Sequence, residues 1–567
     1  MTANAGGVND GTFLFGRNNF SPRETTVTRY QFIDNQTFIA GNHTFKYGVD
    51  LLFDRIFNFF PGLFSGAYTF TSYANLAAGT PSRYRQSFAG AGTTGGTTYP
   101  NNSEYGFFLQ DDWRVVPKLT LNLGVRYDYQ SIAQPPIQNP NVPLLAAGFD
   151  TSFRPSDKNN IAPRLGFSYA FDEKTVLRGG YGMFYARTTA ILTGTAHSQN
   201  GIQVVAIDIN CTATPALCPT YPNIFQNVPT GATLAPVNLY LFDKDYKQPF
   251  THQARLQFER EIFANTTASV QYTLFRGNDL TRTRNTNLSA PVTANIPIFN
   301  STTATGETLT IQRFSNPRPI PSFQRISLFE STANSFYQGL TFEINRRFAN
   351  RLQFNASYTL SKAKDDKPDQ TSVVPGGGDD GKIAENQFDL TNEYGRSDLD
   401  VRHRFIFSPV YETGTFKYSE NKIVRAILSD YIFTGIFTAQ SGIAYSAAVT
   451  GDPNGDGNTA NDRAPGTKRN EFSTAPTYQF DVRVGRAIRF GEQFRLTLFA
   501  EGFNIFNRSN VQAVNNALYN FSTVSGAQRL TNTTNFATPR IFVSGSPSFT
   551  FNSSYNRELQ LGVRFDF

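Results

Sequence analysis

The stretch Leu119-Thr120-Leu121-Asn122-Leu123-Gly124-Val125-Arg126-Tyr127-Asp128-Tyr129 alternates without a break. Every odd position is apolar and every even one is polar or glycine. A period of two puts the apolar side chains on one face of a strand and the polar ones on the other. At about 3.3 Å per residue the stretch extends roughly 36 Å, and a 45° tilt leaves about 26 Å of height. That height matches the apolar band of a transmembrane barrel wall, about 25 Å tall. Tyr127 and Tyr129 sit at one end, where aromatic side chains meet lipid headgroups. One such strand would also suit a soluble sandwich. The pattern recurs along the chain, however, and Leu559-Gln560-Leu561-Gly562-Val563-Arg564-Phe565-Asp566-Phe567 repeats it at the end. The expected fold is all-β, an antiparallel transmembrane outer-membrane β-barrel.

Composition agrees. Aromatic residues make up 14% of the chain and charged ones 17%, and 54 Phe and 26 Tyr accompany a single Trp. A mean hydropathy of -0.35 suits walls that alternate and connections that stay polar. No apolar run reaches the length of a membrane-spanning helix. The net charge of +7 is spread evenly, without the basic block that tracks nucleic acid, so lipid is the expected partner and nucleic acid is not. Met1-Thr2-Ala3-Asn4-Ala5 has neither the positive nor the apolar region of an export signal. Because a barrel of this kind must be exported, residues 1–25 are expected to be an irregular, truncated segment ahead of one barrel domain at 26–567.

Strands and turns follow in regular order. Gly41-Asn42 separates Phe38-Ile39-Ala40 from a strand carrying Phe45, Tyr47, Val49, Leu51 and Phe53. Tyr105, Phe107 and Leu109 lead through Pro117 into the opening stretch, and Leu165, Phe167 and Tyr169 turn at Asp172-Glu173 into Leu177–Tyr185. Leu256 and Phe258 pair across Ala264-Asn265 with Val270 and Tyr272, and Leu340–Ile344 turns at Ala349-Asn350 into Leu352–Leu360. Val401, Phe405 and Phe407 precede a strand that shows either Ile432 and Ile436 or Tyr431, Phe433 and Phe437 outward. Phe480-Val482-Val484 then turns at Gly491-Glu492 into Phe494–Ala500. The count is roughly seventeen strands, and tight turns of about two to four residues alternate with connections of about 30 to over 60. Those after Tyr129, Arg187, Gly277, Ser361, Gly442 and Phe506 all fall at one end, as do the extracellular loops of bacterial barrels.

The wall motifs resemble a known family. Tyr105-Gly106-Phe107-Phe108-Leu109-Gln110-Asp111-Asp112-Trp113-Arg114 followed by Leu119–Tyr127 is similar to the barrel of TonB-dependent receptors. Gly41–Gly48, Asn160–Phe167, Arg178–Tyr185 and Phe503-Asn504-Ile505-Phe506-Asn507 resemble the Oar-like branch, and Phe567 resembles the family's assembly signal. The resemblance implies a barrel of about 22 strands around a plug, of which about 16–18 strands are present here. It also implies energy from the TonB system and uptake of an extracellular ligand. Neither a plug nor a TonB box is legible in this sequence. A plugless porin-like channel and a surface adhesin displaying its long loops are the alternatives.

Few residues carry chemistry. Asp452-Pro453-Asn454-Gly455-Asp456-Gly457-Asn458 places oxygen ligands at positions 1, 3, 5 and 7 and glycine at 6, as a calcium loop begins. Position 12 is Arg463 rather than glutamate, with Asp462 beside it. The candidate metal ligands are therefore Asp452, Asn454, Asp456, Asn458 and Asp462, for a structural calcium; a plain polar turn has the same composition. Asp365-Asp366, Gly376-Gly377-Gly378 and Asp379-Asp380 read as a solvated loop. Cys211 and Cys218 are the only cysteines, and in an exported protein they are expected to form a disulfide. His43, His197, His252 and His403 are scattered, with no nucleophile elbow, so no enzyme is expected. Arg126, Arg178, Glu343, Arg483 and Arg564 lie on the polar faces and are expected to point into the lumen.

Overall fold

The computed structural model describes residues 2–4, 7–9, 17–18, 21–60, 62–314, 317–369, 380–414, 416–418, 420–490, 494–542 and 557–567. Its main body is one barrel-type sheet of eighteen strands. Fifteen of them form the wall proper. They are β1 (Glu24–Ala40), β2 (His43–Phe59), β3 (Asn102–Val116), β4 (Leu119–Ile132) and β5 (Ile161–Ala170). Next come β6 (Thr175–Tyr185), β7 (Phe250–Phe263), β8 (Thr266–Asn285), β9 (Phe323–Ala349) and β10 (Leu352–Asp365). The last five are β11 (His403–Glu412), β12 (Tyr431–Gln440), β13 (Thr477–Phe490), β14 (Phe494–Phe503) and β15 (Glu558–Asp566). Three shorter pieces, at Thr97–Thr98, Val237–Phe242 and Gly395–Arg396, extend the sheet beside β2, β9 and β10.

Each wall strand pairs antiparallel with its neighbours in sequence. Among the described residues no ladder joins β1 to β15. The register keeps apolar residues on one face. Val125 of β4 lies opposite Leu109 of β3 and Pro163 of β5, and Tyr127 lies opposite Phe107 and Ile161. On β12 the outward row is Tyr431, Phe433 and Phe437, because Phe433 pairs with Val484 and Phe437 with Phe480. Val401 precedes β11, which starts at His403.

Tight turns gather at one end. Gly41-Asn42, Pro117-Lys118, Ala264-Asn265 and Asn350-Arg351 each link two strands through two residues. Asn350 and Arg351 both have positive φ, at 51° and 68°, the twist that a two-residue hairpin demands. The expected turn at Gly491-Glu492 lies outside the described residues. The 413–430 connection at this end is longer and holds the helix Lys422–Leu428. Epitope tags inserted near Thr214, Ala294 and Asp456 are therefore expected to bind antibody on intact cells, and a tag at Asn350 only after permeabilisation. Surface binding at Asn350 would refute this orientation.

The other end differs from the polar loops the sequence suggests. Its connections fold into an outer cap with hydrophobic cores of its own. β9 is 27 residues long, more than twice the roughly 9–11 that a membrane-spanning strand needs. Two five-stranded sheets lie in the cap. One joins strands 2–4, 7–9, Ala67–Thr69, Arg83–Ala89 and Val204–Asn210; the other joins Pro291–Asn300, Thr303–Phe314, Ala448–Thr450, Ala517–Val524 and Ala527–Asn532. Tyr68, Phe70, Tyr84 and Ile207 form one core; Leu192, Tyr240, Phe242 and Phe329 form a second; Leu144, Leu239 and Ile326 a third; Ile296, Val449 and Leu530 a fourth. Among the described residues the wall contributes to these cores only through the outer ends of β4 and β9, and its remaining apolar side chains largely face lipid.

Cys211 and Cys218 are bonded in the first of these cores, with Cα atoms 5.4 Å apart. Thiol probes are expected to miss the native protein and to label both residues after reduction under denaturing conditions. Labelling without reductant would exclude the bond.

Candidate functional site

Polar side chains on alternate wall positions meet one another across the strands. Arg126 Nε donates to Asp128 Oδ1 at 2.8 Å, and its guanidinium lies 3.8 Å from Asp50. That guanidinium occupies the space above Gly106, where any Cβ would collide with it. Arg29 Nε donates to Asp54 Oδ1 at 2.7 Å, and Gln31 Nε2 to Asp50 Oδ1 at 2.9 Å. Several other charged wall residues are paired, either across neighbouring strands or with the residue two along the same strand. Arg178 lies 3.5 Å from Glu259, Asn355 Nδ2 donates to Glu343 at 2.6 Å, Arg483 reaches Glu501 at 3.3 Å and Arg564 reaches Asp566 at 2.7 Å. Such pairing offsets the cost of placing arginine at membrane depth, because a lumen supplies partners and water that lipid does not.

Two hollows lie along this face. One, of about 630 Å³, is lined by Arg178, Gly180, Gln253, Arg255, Gln257 and Gln271 of β6 to β8. The other, of about 270 Å³, is lined by Asp50, Glu104, Arg126, Asp128, Arg187 and Gln248. Buried amides join strand ends beside the second hollow. Gln130 Nε2 donates to Asn102 Oδ1 at 2.9 Å, Gln248 Nε2 donates to Gln130 Oε1 at 2.8 Å, and Asn160 donates to Gln248. A bulky or apolar replacement here would leave buried polar atoms unpaired.

The acidic segment starting at Asp452 is a hub of the cap. Gly455 and Gly457 take φ of +75° and +84°, which bends the chain so that both their amides donate to the Asp452 carboxylate, at 2.7 and 3.0 Å. Asn454 Oδ1 accepts from the Asp456 amide at 2.9 Å, and Asn458 Oδ1 from the Ala460 amide at 3.0 Å. Three connections meet at this segment. Arg325 and Arg318, flanking the approach to β9, donate to the carbonyls of Gly457 and Asp456, at 2.6 and 3.2 Å. Asn454 and Asn461 donate to the carbonyls of Glu385 and Ala384, at 3.2 and 2.9 Å. Arg463 forms ion pairs with Glu385 at 2.7 Å and Glu393 at 2.8 Å. Burial resists ionisation of Glu393, but Lys367 and Arg463 more than offset it and hold the carboxyl below its ordinary range. Among the described residues no three His, Cys, Asp or Glu side chains converge as a ready metal cage.

Asp365 and Asp366 are not solvated. Asp365 accepts from buried Arg469 at 2.5 Å and Asp366 lies 3.0 Å from buried Arg282, so both anchor the cap. Gly376, Gly377, Gly378 and Asp379 lie outside the described residues. These ion pairs carry no periodicity, and only the long-range packing of several connections brings them together.

The four histidines occupy separate places. His43 stacks on Trp113 and Phe45 near the tight turns, with Nδ1 2.7 Å from Asp111. His252 and His403 each meet a tyrosine hydroxyl at 2.8 Å, those of Tyr181 and Tyr358, on the outward face. These ring pairs fit an interfacial belt. His197 is buried in the cap, and burial pushes its pKa down to about 4. Among the described residues the four lie apart, and none is set beside a nucleophile and a second carboxylate in the manner of a hydrolytic triad.

Comparisons with known proteins agree with this geometry. A 120-residue stretch is 30% identical to the TonB-dependent transporter Oar of Myxococcus xanthus, covering 19% of this chain and 11% of that one. The outer membrane transporter YddB from Escherichia coli superposes with a TM-score of 0.51 at 12% identity, over 92% of this chain and 55% of that one. The chain thus spans about half the length of this solved transporter. The family model described as an outer membrane beta barrel domain matches residues 2–468. With an alternating wall, a paired polar inner face and a match over most of its length, this chain is an integral outer-membrane protein and belongs to that outer membrane β-barrel family.

Proposed function

We propose that the chain is the barrel of an outer-membrane transporter of the TonB-dependent kind, which admits an extracellular ligand through its lumen. The observation that carries this reading is the inner face: charged side chains paired along and across neighbouring strands, beneath a cap whose own cores fix its shape. A wall serving adhesion alone would need no such lining. The likeness to Oar, itself a TonB-dependent transporter, supports the same reading.

Influx tests the reading. Cells carrying the chain behind an export signal, with a periplasmic enzyme that hydrolyses a hydrophilic reporter too large for general porins, should turn over that reporter faster than cells without it. Gln257→Trp, which fills the larger hollow, should slow the turnover. Loss of the effect when the inner-membrane proton gradient is dissipated assigns energised transport, and persistence assigns passive conduction. Equal turnover with and without the chain would leave adhesion as the role.

A further inference from the structure

We infer that the cap holds a structural calcium ion at Asp462, with Asp456 and Asn461 as companion ligands. The inference stands apart from transport, since it concerns how the outer connections are pinned. Asp462 is only 3% exposed, yet neither carboxylate oxygen accepts a well-formed hydrogen bond. Asn461, next in the chain and 4% exposed, likewise has an unpartnered side-chain oxygen, while its amide nitrogen is already spent on Ala384 and Asp456. Three oxygens from two adjacent buried residues thus lack a well-formed hydrogen bond, the Asn454 amide being the one donor turned toward Asp462. A buried polar group in that condition costs free energy, and a buried carboxylate more so.

The neighbourhood makes the want of a cation sharper. Asp456, itself 3% exposed, and Asp452 both act on Asp462 with like charge. Arg463 is committed to Glu385 and Glu393, while Arg325 and Arg318 hold the carbonyls of Gly457 and Asp456 and act on the charges of Asp456 and Asp452. The chemistry of the open donors is carboxylate and amide oxygen throughout, without sulfur or imidazole. Calcium prefers such a set and tolerates six to eight ligands in irregular geometry, completing them with carbonyls and water. The ligand set also differs from what the spacing suggests. Asp452, Asn454 and Asn458 turn their oxygens onto backbone amides and build the loop, and Asp456 turns Oδ1 onto the Asn458 amide at 2.6 Å, so the open oxygens are those of Asn461 and Asp462, with Asp456 as the neighbouring carboxylate.

Calcium titration of the full chain, folded in detergent and stripped with chelator, is the test. One ion should bind per chain, with a Kd of about 10⁻⁴–10⁻³ M, the range of extracellular modules. Binding should slow tryptic cleavage of the 441–476 connection, and magnesium at the same concentration should protect much less. Asp462→Asn should weaken calcium binding by roughly tenfold or more, as losing a charged ligand does. In chelator the variant should be cut no faster than wild type, because a neutral amide costs no more to bury there than the carboxyl group it replaces. A wild-type chain that binds no calcium, or is cut at one rate with and without it, overturns the inference whatever the variant does. Undiminished calcium protection in Asp462→Asn overturns it too.

Discussion

Arginine at Val125 is expected to abolish folding into the membrane, while arginine at Asn122, three residues away on the same strand, is tolerated. Val125 is on the apolar face near the middle of β4, exposed between Leu109 and Pro163. At that depth a lipid-facing arginine costs about 2–4 kcal/mol. Asn122 faces the lumen, where its Nδ2 already donates to Asp112 at 2.7 Å. An arginine there gains the same carboxylate and water. The measurement is the fraction of chain that migrates as a compact species on unheated gels. A small fraction for Val125→Arg beside a near wild-type one for Asn122→Arg fits the assigned faces. The reverse ranking would invert the barrel.

Truncating Phe329 to alanine should unfasten the cap but leave the wall. Its side chain is fully buried, with ring centroids 5.7 Å from Tyr240 and 5.3 Å from Phe242. Emptying such a site costs about 3–5 kcal/mol, because the removed ring loses its burial and the cavity collapses only in part. The cap cores are separate from one another, so the loss should stay local. Limited proteolysis on intact cells should cut the 186–249 and 286–322 connections much faster than in wild type, at unchanged gel mobility of the wall. Global loss of the folded species would mean that cap and wall fold as one unit.

Wall and cap differed in how legibly they were written. At Leu119–Tyr129 each residue's face follows from parity alone, since a strand with lipid on one side and water on the other has one environment per face. Arg126 and Arg178 could be placed in the lumen for that reason, before any partner was known. The cap obeys no such rule. Ile207 is buried because Val204–Asn210 pairs with Arg83–Ala89, over a hundred residues earlier, and nothing local to Asp208-Ile209 announces this. Asp365-Asp366 looked like solvent-facing acid because their partners, Arg469 and Arg282, are distant in the chain. The calcium-like spacing named Asp452, Asn454, Asp456, Asn458 and Asp462, of which Asp452, Asn454 and Asn458 serve the turn, and the open oxygen of Asn461 shows only in the packing.

The neighbour-only ladder of the wall also bears on the order in which the molecule takes shape. Each wall strand finds its partner next in sequence, so the sheet can lengthen hairpin by hairpin, and the closures at the tight-turn end span few residues and lose little chain entropy. The cap has the opposite economy of contacts: Asn532 donates to Asn300, 232 residues away, and Pro291–Asn300 runs parallel to Ala527–Asn532. Those pairings become probable only once the wall has brought their anchoring strands to one rim. The cap is then the late, slow phase of assembly, and the wall is its template.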